Sequence, residues 1–311
     1  MKGINEIKLF VFKTAVIVVL FFIVDSIIAS IIREKLTNNY VNESCEVYTL
    51  LTKATPEILI LGASDAHQSY SPSVFSDTLG LSCYNGAISQ QGILQNYLIA
   101  KAIIDRKKTK IIILNFLPSF FDGFGSNMAK IRPSYYDNID VKKTLDSLDF
   151  YMPIKQFIPG YKYNSLIINI AESVIKPVPH ENGFYPMRPG KLKEKKKILF
   201  ENKYSEDFDK KYVQIFENFV KYCALNKISL YVISSPKFYY LPKPHPYNLI
   251  VSKICSNYKV PFIDYSQNEK IVNNPLNFRD QTHLSYIGAP LFSKIVASRI
   301  KKMEIIKAKI K

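Results

Sequence analysis

"PEILILGASDAHQSYSP", Pro56 to Pro72, is the stretch on which the fold turns. Ile58–Leu61 is an unbroken apolar run with β-branched members, bounded by Pro56 and Gly62. A run of this length reads as a strand buried on both faces, the habit of a parallel sheet. It stops on Gly62-Ala63-Ser64-Asp65, where small and polar residues follow at once. Either this is a simple turn, or Ser64 is held at the strand end because it reacts.

Outward from this strand, apolar runs and helical spacings alternate. "LSCYNGA" (81–87) reads as a second strand ending in Asn85-Gly86. "QGILQNYLIAKAIIDRKK" repeats apolar residues at helical spacing, and Ile111–Leu114 gives a third strand before Asn115. "DFDKKYVQIFENFVKYCALNK" places Tyr212, Ile215, Phe216, Phe219, Val220 and Cys223 on one helical face. "ISLYVISSP" and "VPFIDYS" supply the fourth and fifth strands, with "YNLIVSKICSNYK" as a helix between them and "LSYIGAPLFSKIVASRIKKM" as the closing helix. Alternation of this kind predicts an α/β protein: a doubly wound, flavodoxin-like parallel sheet of about five strands in three α/β/α layers. Such sheets bind ligands at the carboxyl ends of their strands, where Ser64, Asn85-Gly86 and Asn115 all fall.

Residues 122–205 break the rhythm. They are rich in aromatics and proline ("IRPSYYDNID", "HENGFYPMRPG") and read either as a lid or binding loop or as a structural cap over the sheet. Within them "KLKEKKKILFENK" (191–203) reads as a solvated helix face. The basic tail, 303–311, reads as a frayed polar terminus, with a membrane-surface helix as the alternative.

The N-terminus carries "LFVFKTAVIVVLFFIVDSIIASII", Leu9 to Ile32. As a helix it would span roughly 36 Å, against a hydrocarbon core of about 30 Å. Lys13 lies near one end and can snorkel; Asp25 lies deeper, at a cost on the order of 2–3 kcal/mol. A cleaved signal peptide and a buried core helix are the alternatives. The length of the run and the lack of a small-x-small site favour a signal anchor. The expected organisation is a short tail (1–8), a transmembrane anchor (9–32), a polar linker (33–54) with a glycosylation-type "NES" at Asn42, the α/β domain (55–302) and the basic tail. Lys2 and Lys8 before the span and Arg33 and Lys35 after it give little orienting bias. A cytoplasmic tail with the large domain translocated is the simpler topology.

The chain has 311 residues, 47% hydrophobic and 22% charged, enough for a substantial core. Its net charge of +16 calls for anionic surroundings. Outside the cytoplasm, these are membrane or glycan and not nucleic acid. Cys45, Cys83, Cys223 and Cys255 form no C-x-x-C pair, and the four histidines (His67, His180, His245, His283) have no metal-ligand spacing, so neither a metal nor another cofactor is expected.

A nucleophilic serine needs a base, a group that orients the base, and donors for the oxyanion. "NFRDQTHLSYIGAPLF" offers Asp280 and His283, three residues apart in a polar loop before the last helix. Asp280 can reach the imidazole Nδ1 and leave Nε2 for Ser64; alternatively, it caps the last helix. His67, three residues after Ser64, either packs at a pocket rim or serves as a second base. His180 and His245 lie in proline-rich loops and take no role.

Strand-Gly-x-Ser, a Gly/Asn turn after the second strand and Asp-x-x-His before the last helix together resemble the SGNH (GDSL-like) hydrolase superfamily, over most of Pro56 to Ile300 but not the insert. The resemblance implies Ser64 as nucleophile, Asp280 and His283 as its partners, a backbone N–H of Gly86 at the oxyanion and the side chain of Asn115 as a further donor. The chain departs from the pattern in reading G-A-S-D where the family has G-D-S-L, and in lacking Gly-x-Asn-Asp around Asn115. With its single anchor, "LGASDAHQSYSP" and "RPSYYDNID", it looks most like membrane-anchored SGNH-like proteins of bacterial surface-polysaccharide loci. That likeness implies O-acyl ester hydrolysis or O-acyl transfer on acylated cell-surface glycan, with a membrane acyl-donor protein as partner. The alternatives are a non-catalytic binding or assembly protein on the same fold, and a tethered receptor that stacks sugars on the aromatic insert.

Overall fold

The computed structural model describes residues 2–38, 43–122, 135–136, 138–146, 181–192, 196–197, 208–240 and 245–310. Asn42, His180, "IRPSYYDNID" up to Ser134 and most of the 122–205 insert lie outside the described residues. The chain divides into two units, residues 1–49 with 132–178 and residues 50–131 with 179–311.

The first unit is dominated by helix α1 (Lys2–Asn38). Its 37 residues extend about 55 Å. Within it Ile4–Ile32 is long and apolar enough to cross a bilayer, and its large side chains, Phe10, Phe12 and Ile17 among them, are exposed. One apolar N-terminal helix of this kind is consistent with a signal anchor or a signal peptide. The expected polar linker is corrected in its described parts. Residues 33–38 continue α1, because "REKLTN" contains no helix breaker, and Glu43–Thr52 forms a second helix, α2. A short helix, α6 (Ile139–Asp146), also belongs to this unit.

The second unit carries the sheet. Strands β1 (Ile58–Leu61), β2 (Cys83–Asn85), β3 (Ile111–Asn115), β5 (Ser229–Ser234) and β7 (Phe262–Asp264) pair in parallel in the order β2-β1-β3-β5-β7. This is the expected doubly wound α/β architecture, and its order reverses between β1 and β3. Every residue of β1 and β3 is buried, as strands covered on both faces require. Ile58, Ile60, Ile111, Ile113, Tyr231 and Ile233 share one core with Phe75 of α4 (Pro72–Leu79) and with Phe292, Val296 and Ile300 of the last helix, α10 (Gly288–Ile310). The alternate residues, Leu59, Ile112 and Val232, turn to the opposite face. That layer holds α5 (Ile93–Ile104) packed on α7 (Lys210–Leu225), and α7 presents Phe216, Phe219, Val220 and Cys223 as its buried face; α8 (Tyr247–Asn257) and α9 (Glu269–Val272) follow it in the chain before α10.

Two further expectations change. The tail is not frayed: α10 runs unbroken to Ile310. Lys196–Lys197 of the charge run form a strand, β4, paired with β6 (Tyr239–Tyr240), instead of a helix face. One described stretch of the insert, residues 181–192, is a strap fixed by backbone hydrogen bonds. Asn85 N–H donates to Asn182 O (2.9 Å), Gly190 N–H to Phe278 O (2.9 Å) and Tyr286 N–H to Met187 O (2.7 Å).

Candidate active site

The turn after β1 is built around Gly62. Its φ of +156° is closed to most side chains, and a Cβ there would lie 2.5 Å from Ala66 Cβ. The sharp turn it permits starts helix α3 (Ser64–His67) directly at the strand end. Three buried asparagines hold this turn. Asn96 of α5 accepts from Gly62 N–H (2.8 Å) and donates to Gly92 O (2.7 Å). Asn85 at the end of β2 donates to Ala66 O and Tyr70 O, each at 3.0 Å. Asn115 at the end of β3 donates to Asp65 Oδ2 (2.7 Å) and accepts from Tyr70 O–H (2.7 Å). Ser64 is thus pinned at the point where the strand order reverses.

The loop before α10 brings His283 to Ser64. Phe278 and Leu284 form an antiparallel bridge, and Arg279 N–H donates to His283 O (2.9 Å). Inside this loop Asp280 Oδ1 accepts from Thr282 N–H (2.8 Å), Thr282 Oγ1–H (3.1 Å) and His283 N–H (3.0 Å). These are local turn bonds of the kind aspartate favours, and they replace the helix-cap alternative, because α10 begins only at Gly288. His283 Nδ1 lies 2.8 Å from Asp280 Oδ2 and 2.9 Å from Oδ1. His283 Nε2 lies 2.9 Å from Ser64 Oγ, joining residues 219 apart in sequence. With the proton on Nδ1 facing the carboxylate, Nε2 is the acceptor and the Ser64 hydroxyl donates to it. Burial alone would raise the Asp280 carboxyl. The His283 hydrogen bond, the Thr282 N–H, and the charge and N–H of His283 outweigh that and hold it well below the usual carboxylate range. It therefore stays ionised at neutral pH.

Two proposed oxyanion donors are placed otherwise. The Gly86 N–H is corrected: it donates to Ile60 O at 2.8 Å, completing the β1–β2 pairing, and a Cβ at Gly86 would press within 3.0 Å of Leu50 and Leu59. The glycine is there for packing. Asn115 is fully buried, with both ends of its amide engaged by Asp65 and Tyr70. His67 is also buried and packs against Tyr185 of the strap, ring centroids 4.3 Å apart and planes tilted by 56°, as the packing alternative has it. His245 accepts from Tyr247 N–H (3.2 Å), and its burial lowers its pKa.

The residues that sequence reasoning missed are Asp65 and Lys237. Asp65 Oδ2 receives Lys237 Nζ (2.8 Å) and Ser235 Oγ–H (3.2 Å) besides Asn115. A lysine just beyond the apolar run of β5, in "SSPKF", was the available signal. Among the described residues, no group of three or more His, Cys, Asp or Glu could hold a metal ion.

No protein-family model and no curated protein sequence matches the chain. Among solved structures it is similar, at low identity, to GDSL-like lipases and acetyl xylan esterases. A GDSL-like lipase from Bacteroides thetaiotaomicron is 13% identical, with 85% of this chain and 100% of the other covered and a TM-score of 0.42. An acetyl xylan esterase from the rumen bacterium Butyrivibrio proteoclasticus is 10% identical, with 79% and 63% covered and a TM-score of 0.36. Likenesses at this level decide nothing about activity.

Proposed function

We propose that the chain is a serine-dependent O-acyl esterase or O-acyltransferase with Ser64 as nucleophile, His283 as general base and Asp280 as its orienting anion. The observation that carries this is the unbroken line Asp280–His283–Ser64, at 2.8 and 2.9 Å. Ser64 Oγ bonds to the ester carbonyl carbon as its proton passes to His283 Nε2. The tetrahedral oxyanion meets the Ser64 N–H, one of the donors a helix start leaves unpaired. The C–O bond to the alcohol then breaks, and His283 returns the proton to the departing oxygen. Water, or a sugar hydroxyl, next attacks the acyl-Ser64 with His283 again taking the proton, which regenerates Ser64 and gives a free acid or a new ester. The net charge of +16 and the apolar helix Ile4–Ile32 support a glycan-facing, extracytoplasmic site tethered to the membrane; an acylated glycan as substrate and a membrane acyl-donor protein as partner in the transferase case follow from the family resemblance alone.

Full-length protein in detergent, treated with a fluorophosphonate probe, is expected to be modified at Ser64, and Ser64→Ala and His283→Ala are expected to abolish this. Folded wild-type protein that stays unmodified would replace the enzyme with a binding protein. Release of acetate from O-acetylated glycan, with and without a sugar acceptor, separates esterase from transferase.

A further inference from the structure

Directly after Ser64, the Asp65 carboxylate is 2% exposed and carries a full set of partners drawn from three strand ends. Its Oδ1 accepts from Ala66 N–H (2.9 Å). Its Oδ2 accepts from Asn115 of β3 and from Ser235 and Lys237, just beyond β5. Lys237 is equally enclosed, 6% exposed, so the chain bears the desolvation of two charges here. Such a pair is a poor device for stability alone, since well-packed apolar residues do as well. What distinguishes it is where the ammonium's remaining reach goes: Lys237 Nζ also donates to Thr282 O at 3.4 Å. Thr282 is the residue whose N–H and Oγ–H bind Asp280, and whose Oγ lies 3.2 Å from His283 Nδ1. The next backbone group, Phe238 N–H, donates to Gln281 O (2.8 Å), which fixes the same loop a second time.

We infer that the Asp65–Lys237 pair is the positioning device of the proposed active site. It ties the nucleophile's turn to the base's loop, so that Ser64 and His283 meet although they lie on unconnected parts of the chain. Asp65 holds one side through the residue next to Ser64, and Lys237 holds the other through the Thr282 carbonyl. Neither touches the reacting atoms. The inference rests on the serine–histidine reading of the site and adds the residues that set its register. A site held this way depends on register within a few tenths of an ångström, because a nucleophile–base hydrogen bond weakens steeply outside about 2.6–3.2 Å.

The test uses the full chain in detergent with 15N-labelled histidine, and three variants: Lys237→Met, Asp65→Asn and the Asp65→Asn/Lys237→Met double. The double variant keeps the volumes and leaves no unpaired buried charge, so it remains folded where a single variant does not. Two readouts are taken: the His283 Nδ1–H signal, assigned by its loss in His283→Gln, and the split of fluorophosphonate modification into maximal rate and half-saturating probe concentration. The expected result for the folded double variant is a maximal rate at least tenfold lower, a half-saturating concentration within about twofold, and a displaced or broadened Nδ1–H signal. A purely structural pair would lower the melting temperature and leave both readouts in place, and that result overturns the inference. Unmodified wild-type protein refutes the enzyme reading; the inference is then judged on the Nδ1–H signal alone, which still reports whether the pair sets the His283 geometry.

Discussion

Replacing Asp280 by asparagine tests the candidate triad at its most exposed member. The local hydrogen bonds dictate which way the new amide faces. Thr282 N–H, Thr282 Oγ–H and His283 N–H all converge on the Oδ1 position, so the amide oxygen must sit there. The NH2 is then forced into the Oδ2 position, 2.8 Å from His283 Nδ1. A donor facing Nδ1 makes it an acceptor, which moves the imidazole proton to Nε2, the atom that must accept from Ser64. Two opposite charges about 4 Å apart interact by about 4 kcal/mol at an effective dielectric of 20. The Asp280 side chain is 50% exposed, so solvent screening reduces this to about 2 kcal/mol, or about 30-fold in rate. Loss of a hydrogen bond to a charged group, typically about 1.5–3 kcal/mol, overlaps with that figure and sets the upper end at about 160-fold. The expected result is therefore a fluorophosphonate modification rate about 30 to 160 times slower at neutral pH, with the circular dichroism spectrum unchanged because the turn bonds survive. A folded Asp280→Asn protein that reacts within threefold of wild type would refute the proposed role of the carboxylate.

Gly62→Ala places a Cβ 2.5 Å from Ala66 Cβ at a φ of +156°, and is expected to cost about 2–4 kcal/mol, read as a lowered urea midpoint; an unchanged midpoint would mean the β1 turn is wrongly placed. Asp280 and Glu304 both have folded-state pKa values below their ordinary ones, although burial alone would raise each. For Asp280 the His283 bond overrides burial, and for Glu304 the bonds from Lys307 and Tyr231 do so. Their stabilisation is fully present above the unfolded value of about 4 and is lost as pH falls through the folded one, so the urea midpoint is expected to drop from pH 5 to pH 3, less steeply in Asp280→Asn. All four cysteines are buried, and burial raises the Cys83, Cys223 and Cys255 thiols, the last to about 12. Iodoacetamide at pH 8 is expected to leave native protein unmodified and to alkylate all four in urea; rapid native alkylation would contradict this packing.

The sheet was legible because each of its strands is an apolar run between breakers, and alternation with amphipathic helices implies parallel pairing whatever the side-chain detail. The short α4 was not legible, although Pro72 at its start and Gly80 at φ +69° after its end are ordinary boundary signals. Eight residues are too few to show a helical period. The N-terminal helix outruns its apolar span, since polarity beyond Ile32 marks the end of an apolar face and not of a helix. Ser64, Asp280 and His283 were legible as residue types at suitable element ends, but their meeting depends on bonds made by Asn85, Asn96, Asn115 and Lys237. Asn85, Asn115 and Lys237 are marked in sequence only by lying at or just beyond strand ends, and Asn96 by nothing local; none of their partners can be read from sequence.

The oxyanion donors show where residue types stop being informative. A backbone donor leaves no mark of its own, and a glycine beside a strand end has several possible reasons to be there. At Gly86 the reason is the side chains of Leu50 and Leu59, which a Cβ would meet at 3.0 Å. Asn115 has the expected polarity at the expected strand end, yet its amide faces Asp65. A carboxylate directly after the serine, in G-A-S-D, must be neutralised and fully hydrogen-bonded once buried. Asn115, Ser235 and Lys237 do this, so the side chain of Asn115 is committed to the framework beneath Ser64.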